Sequence, residues 1–252
     1  MLHSTRGIVF HTVKYSETSI IAKIYTDLFG IQSYLFRGIR GTKSKTKPGL
    51  FQSMTLLDLV VYHKENQSLQ SVKEVHLAHA FKSIPFDIIK SSVALFINEL
   101  LYKVIREEEP NPALFDFLWT STQQLDDAET SVSGFHITFA VRLMHFLGIF
   151  PHDNYSALSP VFNMREGLFQ PAIPDHPYYL LPDTSVLLHK LLESSGEPDE
   201  LPGEPVDWNH GGLFPNAGSR KQILETILVY YQLHLPGFKG VQSHLILHDV
   251  LA

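Results

Sequence analysis

An α+β chain, with a small β-barrel at its N-terminus and helices after it, is predicted by three observations. Apolar and β-branched residues fall in short strand-like runs up to about residue 80, the apolar spacing then changes to the helical period, and the balance of charge reverses in the same region. The strands come first. Residues 5–13 (TRGIVFHTV), 19–26 (SIIAKIYT), 31–37 (IQSYLFR), 50–62 (LFQSMTLLDLVVY) and 68–77 (SLQSVKEVHL) are rich in β-branched and aromatic residues and are separated by turn residues. The links DLFG at 27–30 and KENQ at 64–67 are hairpin-sized, so the second strand pairs with the third and the fourth with the fifth. Only the connection after the third strand is long. Five strands with that one excursion fit a Greek-key barrel of the OB type, although an SH3-like barrel or an open sheet gives similar strings.

From about residue 84, FDIIKSSVALFINELLYKVI places Ile89, Val93, Phe96, Ile97, Leu100, Leu101 and Val104 on one broad helical face. Asn111 before Pro112 reads as an N-cap and first-turn proline for ALFDFLWTSTQQL. A third helix spans about Val132 to Leu147, a fourth follows Asp183 as its cap, and Ser219 with Gln222 forms a capping box for a fifth, stopped by Pro236 and Gly237. The stretches 150–182 and 196–217 are rich in Pro, Gly, Asn and Asp and long for loops, and FNMREGLFQPA at 162–172 reads as a hairpin turning near Glu166 and Gly167. The expected organisation is a barrel domain over 1–80 and a helical domain over 81–252, the latter carrying an irregular insertion at about 150–182.

Composition closes several function classes. The 252 residues include no cysteine, so no disulfide framework, thiolate zinc site or cysteine nucleophile is available. The opening residues do not read as a secretory leader and no run is long and apolar enough for a membrane span, so a soluble, cytoplasmic protein is expected. The chain lacks GxxxxGK[ST], a GxGxxG after a strand, and GxSxG, the signatures of a P-loop, a dinucleotide fold and an α/β-hydrolase. Among its 14 histidines, His76 with His79, His152 with Asp153 and His244 with His248 are only partial ligand sets, better explained as surface or half-buried residues than as a metal site. Glu107–Glu109 and Asp126–Asp127 flank helix ends and read as solvated boundaries rather than catalytic carboxylates.

A net charge of −6 argues against a nucleic-acid partner only until its distribution is considered. Residues 1–80 hold ten Lys/Arg against five Asp/Glu, a balance of +5, and the remainder carries −11. The basic excess peaks at Arg37–Lys47, RGIRGTKSKTK, with five cations in eleven residues and no acid between Leu28 and Leu57. A solvated surface loop is the plain explanation. Its place in the long connection of an OB-type barrel favours phosphate binding instead, because such barrels bind nucleic acid on one sheet face and the flanking loops. The DNA-binding candidates are therefore Arg37, Arg40, Lys43, Lys45 and Lys47, with Lys14, Lys23 and Lys73 along the barrel and Tyr34 as a base-stacking ring beside Tyr25 and Phe36.

Several pieces, read in order, resemble the RecO family of recombination mediators: 6–41 (RGIVFHTVKYSETSIIAKIYTDLFGIQSYLFRGIRG), 51–62 (FQSMTLLDLVVY), 107–118 (EEEPNPALFDFL), 139–151 (FAVRLMHFLGIFP) and 239–251 (KGVQSHLILHDVL). The resemblance covers nearly the whole chain. It implies an N-terminal OB-fold, a helical C-terminal domain, no catalytic site and no cofactor. It further implies binding and annealing of single- and double-stranded DNA at the nucleoid, and partnership with RecR and single-strand-binding protein in loading RecA. The acidic, phenylalanine-ended tail of the latter needs an apolar pocket rimmed by a cation, for which Arg142 is the candidate. Many relatives carry a four-cysteine zinc element where this chain has 155–176 (YSALSPVFNMREGLFQPAIPDH), so packing of Val161, Phe162, Leu168 and Phe169 is expected to replace the metal. A basic residue often follows the serine of the terminal segment in relatives, where His244 stands here. Two other readings remain: a protein-interaction scaffold without direct DNA binding, and an enzyme with a metal or histidine site in 150–182.

Overall fold

The computed structural model describes residues 1–39, 48–106, 108–196, 208, 212–214 and 216–251. The chain divides into two compact units, one of Met1–Asp87 with Asn98–Asp127, the other of Ile88–Ile97 with Ala128–Ala252.

The first unit is built on β1 (Leu2–Lys14), β2 (Ile20–Thr26), β3 (Gly30–Phe36), β4 (Leu56–Tyr62) and β5 (Leu69–Leu77). They close into a barrel in the order β1-β2-β3-β5-β4, antiparallel except for β3 beside β5. This is the OB-type arrangement expected from five strands with one long connection. β1 serves two neighbours, pairing with β4 over Leu2–Ile8 and with β2 over Gly7–Lys14, and a register shift between Val9 and His11 lets it bend from one to the other. Gly7 lies at the crossing, where a Cβ would come within 2.6 Å of Ile24 Cγ2. Alternation then sends Val9, Ile24, Tyr34, Phe36, Leu59 and Val61 inward, where they form the buried barrel core.

The outer face of β1 and β2 is buried as well. Phe10 stacks on Tyr25, Tyr25 meets Phe115, and Asn98 Nδ2 donates to the Phe10 carbonyl at 3.0 Å. These partners belong to α1 (Ile88–Val104) and α2 (Pro112–Asp127), the latter capped as expected by Asn111, whose Oδ1 accepts from Leu114 N. Arg6 joins strand to helix, bonding Asp27 at 3.1 Å and Asp116 at 2.9 Å while lying over the rings of Phe115 and Trp119.

Asp126 departs from expectation. Its side chain is wholly buried and accepts main-chain N–H groups from Lys82, Ser83 and Ile84 at 2.8–2.9 Å, with His79 Nε2 at 3.4 Å. Its neighbour Asp127 is the solvated boundary residue, paired with Lys82 at the surface. Burial opposes the Asp126 charge, but the three N–H donors and His79 outweigh it and bring the carboxyl down to about 2.

The second unit contains α3 (Phe135–Phe146), β6 (Val161–Asn163), β7 (Leu168–Gln170), β8 (Tyr179–Leu180), α4 (Pro182–Glu193), α5 (Ala217–His234) and α6 (Ser243–Val250). α3 is buried from Phe135 to Met144, and Tyr231 of α5 donates to the Ala140 carbonyl at 2.7 Å. The hairpin expected at 162–172 is present as β6 and β7, with β8 making a third strand in the order β7-β6-β8. Asn163 Oδ1 accepts from Arg165 and Glu166 N in its turn, and Gly167 takes a φ of +67°, a left-handed conformation suited to glycine. Val161, Phe162 and Phe169 are buried, Leu168 is half-buried, and the Phe162 and Phe169 rings lie 4.9 Å apart. Asn154 clamps the sheet by bonding both N and O of Phe169. Among the described residues no group of three or more His, Asp or Glu is placed to hold a metal ion, and no helix is long and apolar enough to cross a membrane.

Two caps differ from the sequence reading. α4 starts with Pro182 after Leu181, leaving Asp183 inside the first turn, and α5 is capped by Asn216, whose Oδ1 accepts from Ser219 N at 2.9 Å. α6 has no counterpart among the five helices expected from periodicity.

Asp126→Asn is expected to lose about 2 kcal/mol at pH 7, because the folded carboxyl lies near 2 against an ordinary 3.8. The lowered value makes this contribution complete above the ordinary carboxylate range and lost as pH falls from 3.8 towards 2, so urea melts of wild type and variant should converge in that interval. For the insertion, metal analysis of the purified protein is expected to find no stoichiometric zinc, and chelator should leave the circular dichroism unchanged. One bound equivalent, lost together with helicity, would contradict a sheet held by side-chain packing.

Candidate nucleic-acid interface

The site begins where β3 ends. Phe36 pairs with Ile20, and Ile20 pairs with Lys14, so Lys14 and the exposed Arg37 lie at one end of the barrel. The parallel register of β3 and β5 sets Leu35 beside Ser71, which brings Lys73 to the same end two residues later. Arg40, Lys43, Lys45 and Lys47 lie outside the described residues. The residues flanking them are well placed: Ile39 and Phe51 both enter the barrel core, Phe51 packs 4.4 Å from Phe36, and its carbonyl accepts from Thr12 Oγ1. The basic excursion therefore leaves and re-enters the chain at the barrel mouth that carries Lys14 and Arg37.

Two of the candidates are engaged with neighbours. Lys23 faces outward on β2 toward α1, with its ammonium 5.3 Å from the Tyr102 ring. Lys73 is exposed but lies 3.3 Å from Glu74, a surface pair of little energetic weight.

Two expectations are corrected. Tyr34 is wholly buried in the barrel core, and Tyr25 and Phe36 are also buried, so none offers a ring face to a base. Strand alternation gives two faces and no means of choosing the outer one; the inward face of β3 is the aromatic one. Arg142 is 5% exposed on α3, its guanidinium 5.8 Å from the Trp208 ring and its Nε without a partner among the described residues. Burial pulls its pKa down to about 10. An arginine inside the helical unit is not a cation on the rim of a surface pocket.

The sequence reading also misses Tyr15. It follows Lys14 at the start of the β1–β2 turn, its N–H donates to the Ser19 carbonyl, and it is 61% exposed. An aromatic residue just past the last strand position is the available signal.

The barrel and the helices after it match known proteins. Residues 1–81 match the family described as Recombination protein O N terminal, and residues 85–160 the one described as Recombination protein O C terminal. The chain belongs to the RecO family. Its relatives span nearly all of it: the DNA repair protein RecO of Bacteroides fragilis is 38% identical over 96% of both chains. Those of Flavobacterium psychrophilum and Phocaeicola vulgatus are 34% and 32% identical, over 98% and 100% of both chains.

The two tyrosines provide a direct check on the barrel. Tyr34→Ala is expected to cost about 3–5 kcal/mol in chemical denaturation, as for a large ring removed from a packed core, and Tyr15→Ala no more than about 0.5 kcal/mol. Comparable losses for the two would show that Tyr34 does not face the core.

Proposed function

We propose that this RecO-family protein is a non-enzymatic adaptor of recombinational repair, which binds single- and double-stranded DNA through the barrel mouth and anneals complementary strands. The observation that carries this reading is the convergence of Lys14, Arg37 and the anchored ends of the Arg37–Lys47 run on one end of an OB-type barrel. Cations there meet phosphates without sequence preference, and Tyr15 beside Lys14 supplies the exposed ring on which a base can stack. The acidic balance of the rest of the chain disfavours an extended DNA path outside the barrel.

In this role the protein works with RecR and single-strand-binding protein to load RecA at the nucleoid. The family resemblance supports those partners, and the helical unit is the surface on which the acidic tail of single-strand-binding protein docks.

The experiment is a salt titration of single-stranded DNA binding by wild type and by the variant with Arg37, Arg40, Lys43, Lys45 and Lys47 all replaced by Ala. About five phosphate contacts give a log–log slope of roughly −3.5, and an affinity that falls on the order of 100-fold between 50 and 200 mM salt. The variant should lose most of that slope while its thermal midpoint barely moves. An unchanged slope in a folded variant would place the DNA elsewhere. A wild type that binds acidic protein tails but no DNA would instead make the chain a protein-interaction scaffold.

A further inference from the structure

The second unit holds a cavity of about 270 Å³ that plays no part in the DNA reading. One wall is the first turn of α5, where Gly218 puts no side chain over the main chain and Arg220 and Lys221 follow. His248 and Asp249 of α6 and Leu251 just past its end close it, and His136 of α3 forms the floor. Asn216 already accepts from the N–H groups of Ser219 and Arg220, so the start of α5 offers the Ala217 and Gly218 N–H groups and the positive end of the helix dipole.

The side chains around this turn also lack acceptors. His136 is 1% exposed, yet its Nδ1 has no hydrogen-bond partner among the described residues, and the same holds for Arg220 Nε and His248 Nε2. Three buried nitrogens around one cavity are costly without partners: Arg220 Nε can only donate, and each neutral imidazole can place its single N–H on the unpartnered nitrogen to do the same. Arg220 is held in place by donating from Nη2 to the Leu251 carbonyl at 3.0 Å, which leaves its Nε edge uncommitted. Burial, with His248 and Arg220, pushes the enclosed His136 down to about 3, and burial, His244 and Lys221 lower the half-buried His248 against the opposing pull of Glu225 and Asp249. One acid, Asp249, also lines the cavity, but it is exposed to solvent at the edge, and Glu225 meets Lys221 at 4.0 Å on the outer surface, so Arg220 and Lys221 still outnumber the lining carboxylate.

We infer that this cavity is an oxyanion-binding site for a phosphoryl group, held by the α5 N-terminus, Arg220, Lys221, His248 and His136. A phosphate is favoured over a carboxylate by the number of donors. Two cations, two imidazoles and the helix N-terminus exceed what two carboxylate oxygens can accept, whereas a phosphate dianion presents at least three oxygens to them. The volume holds one such group and no stretch of duplex. The phosphoryl group comes either from the 5′ end of a DNA strand or from a free nucleotide.

The test uses the full chain and calorimetric titration with inorganic phosphate at ionic strength held constant with chloride. Wild type is compared with Arg220→Gln, His136→Phe and Lys221→Gln. Wild type is expected to bind phosphate saturably. Arg220→Gln and His136→Phe should lose binding, and Lys221→Gln, an exposed position that leaves the packing alone, should weaken it by about 3–10-fold. If the first two variants fail to fold, Lys221→Gln still decides.

Oligonucleotides with 5′-phosphate and 5′-hydroxyl ends, and a mononucleotide, separate the sources. A 5′-phosphate preference that Lys221→Gln removes identifies the strand end. Binding of inorganic phosphate and mononucleotide without an end preference identifies the free group. Failure of phosphate to bind wild type, or equal binding by wild type and Lys221→Gln, overturns the inference. So does an acidic peptide that occupies the cavity when phosphate does not. The barrel variant without its five loop cations keeps phosphate binding if the cavity is real, so failure of the DNA reading and failure of this one are distinguishable.

Discussion

Asp126 is the point on which the first unit depends. One carboxylate, with no exposed surface, gathers the N–H groups of Lys82, Ser83 and Ile84 just where the chain has left β5. Those three groups lie outside any strand or helix and converge on the one carboxylate, and the N–H of the buried Ile84 is the one that most needs it. By taking them, the end of α2 is tied to the exit of the barrel, and the remaining contacts of α2 follow: Phe115 against Tyr25, and Arg6 spanning Asp27 and Asp116. A charge buried in this way is stable because its donors are main-chain groups that cannot move away.

This division of labour leaves the barrel with two unlike surfaces. The outer face of β1 and β2 is apolar and is used up in contact with α1 and α2, and Lys23, turned toward Tyr102, goes with it. One end of the barrel carries the exposed Lys14 and Arg37, and there the described flanks of the long connection lie. Ile39 and Phe51 are what make that connection local, since each inserts into the core on one side of the basic stretch. The described residues on either side of the basic stretch are thus tied to one end of the barrel by two hydrophobic anchors.

Much of this was legible in the sequence for identifiable reasons. Runs such as SIIAKIYT and LLDLVVY pair β-branched residues with a period of two, and the helical spacing through Val93, Phe96, Leu100 and Leu101 is unambiguous, so the barrel and the helices after it could be read directly. Asn111 before Pro112 identified its helix start because both residues act locally. The failures concern non-local choices. Nothing in YLF says that Tyr34 turns inward, because alternation is blind to which face is the core. Arg142 and Asp126 carry charges usually found at surfaces, and only tertiary neighbours show that both are enclosed. The cavity of His136, Arg220 and His248 joins three helices more than a hundred positions apart in the chain at its extremes, so no motif announces it. α6 was obscured by its brevity, since its 8 residues make little more than two turns and fall short of the span over which a helical period registers.

The first unit is assembled from two stretches, with the intervening Ile88–Ile97 belonging to the other. On the ribosome this imposes an order. The strands are complete once Leu77 has emerged, but Ile8, Phe10 and Tyr25 face solvent until α2 follows, and at ~5–20 residues per second that stretch takes roughly 3–10 s to synthesise. The nascent barrel therefore passes through an interval with its strands made and an aromatic flank uncovered, the period in which it is most open to chaperone capture or to sticking to another nascent chain. Emergence of Asp126 ends that interval.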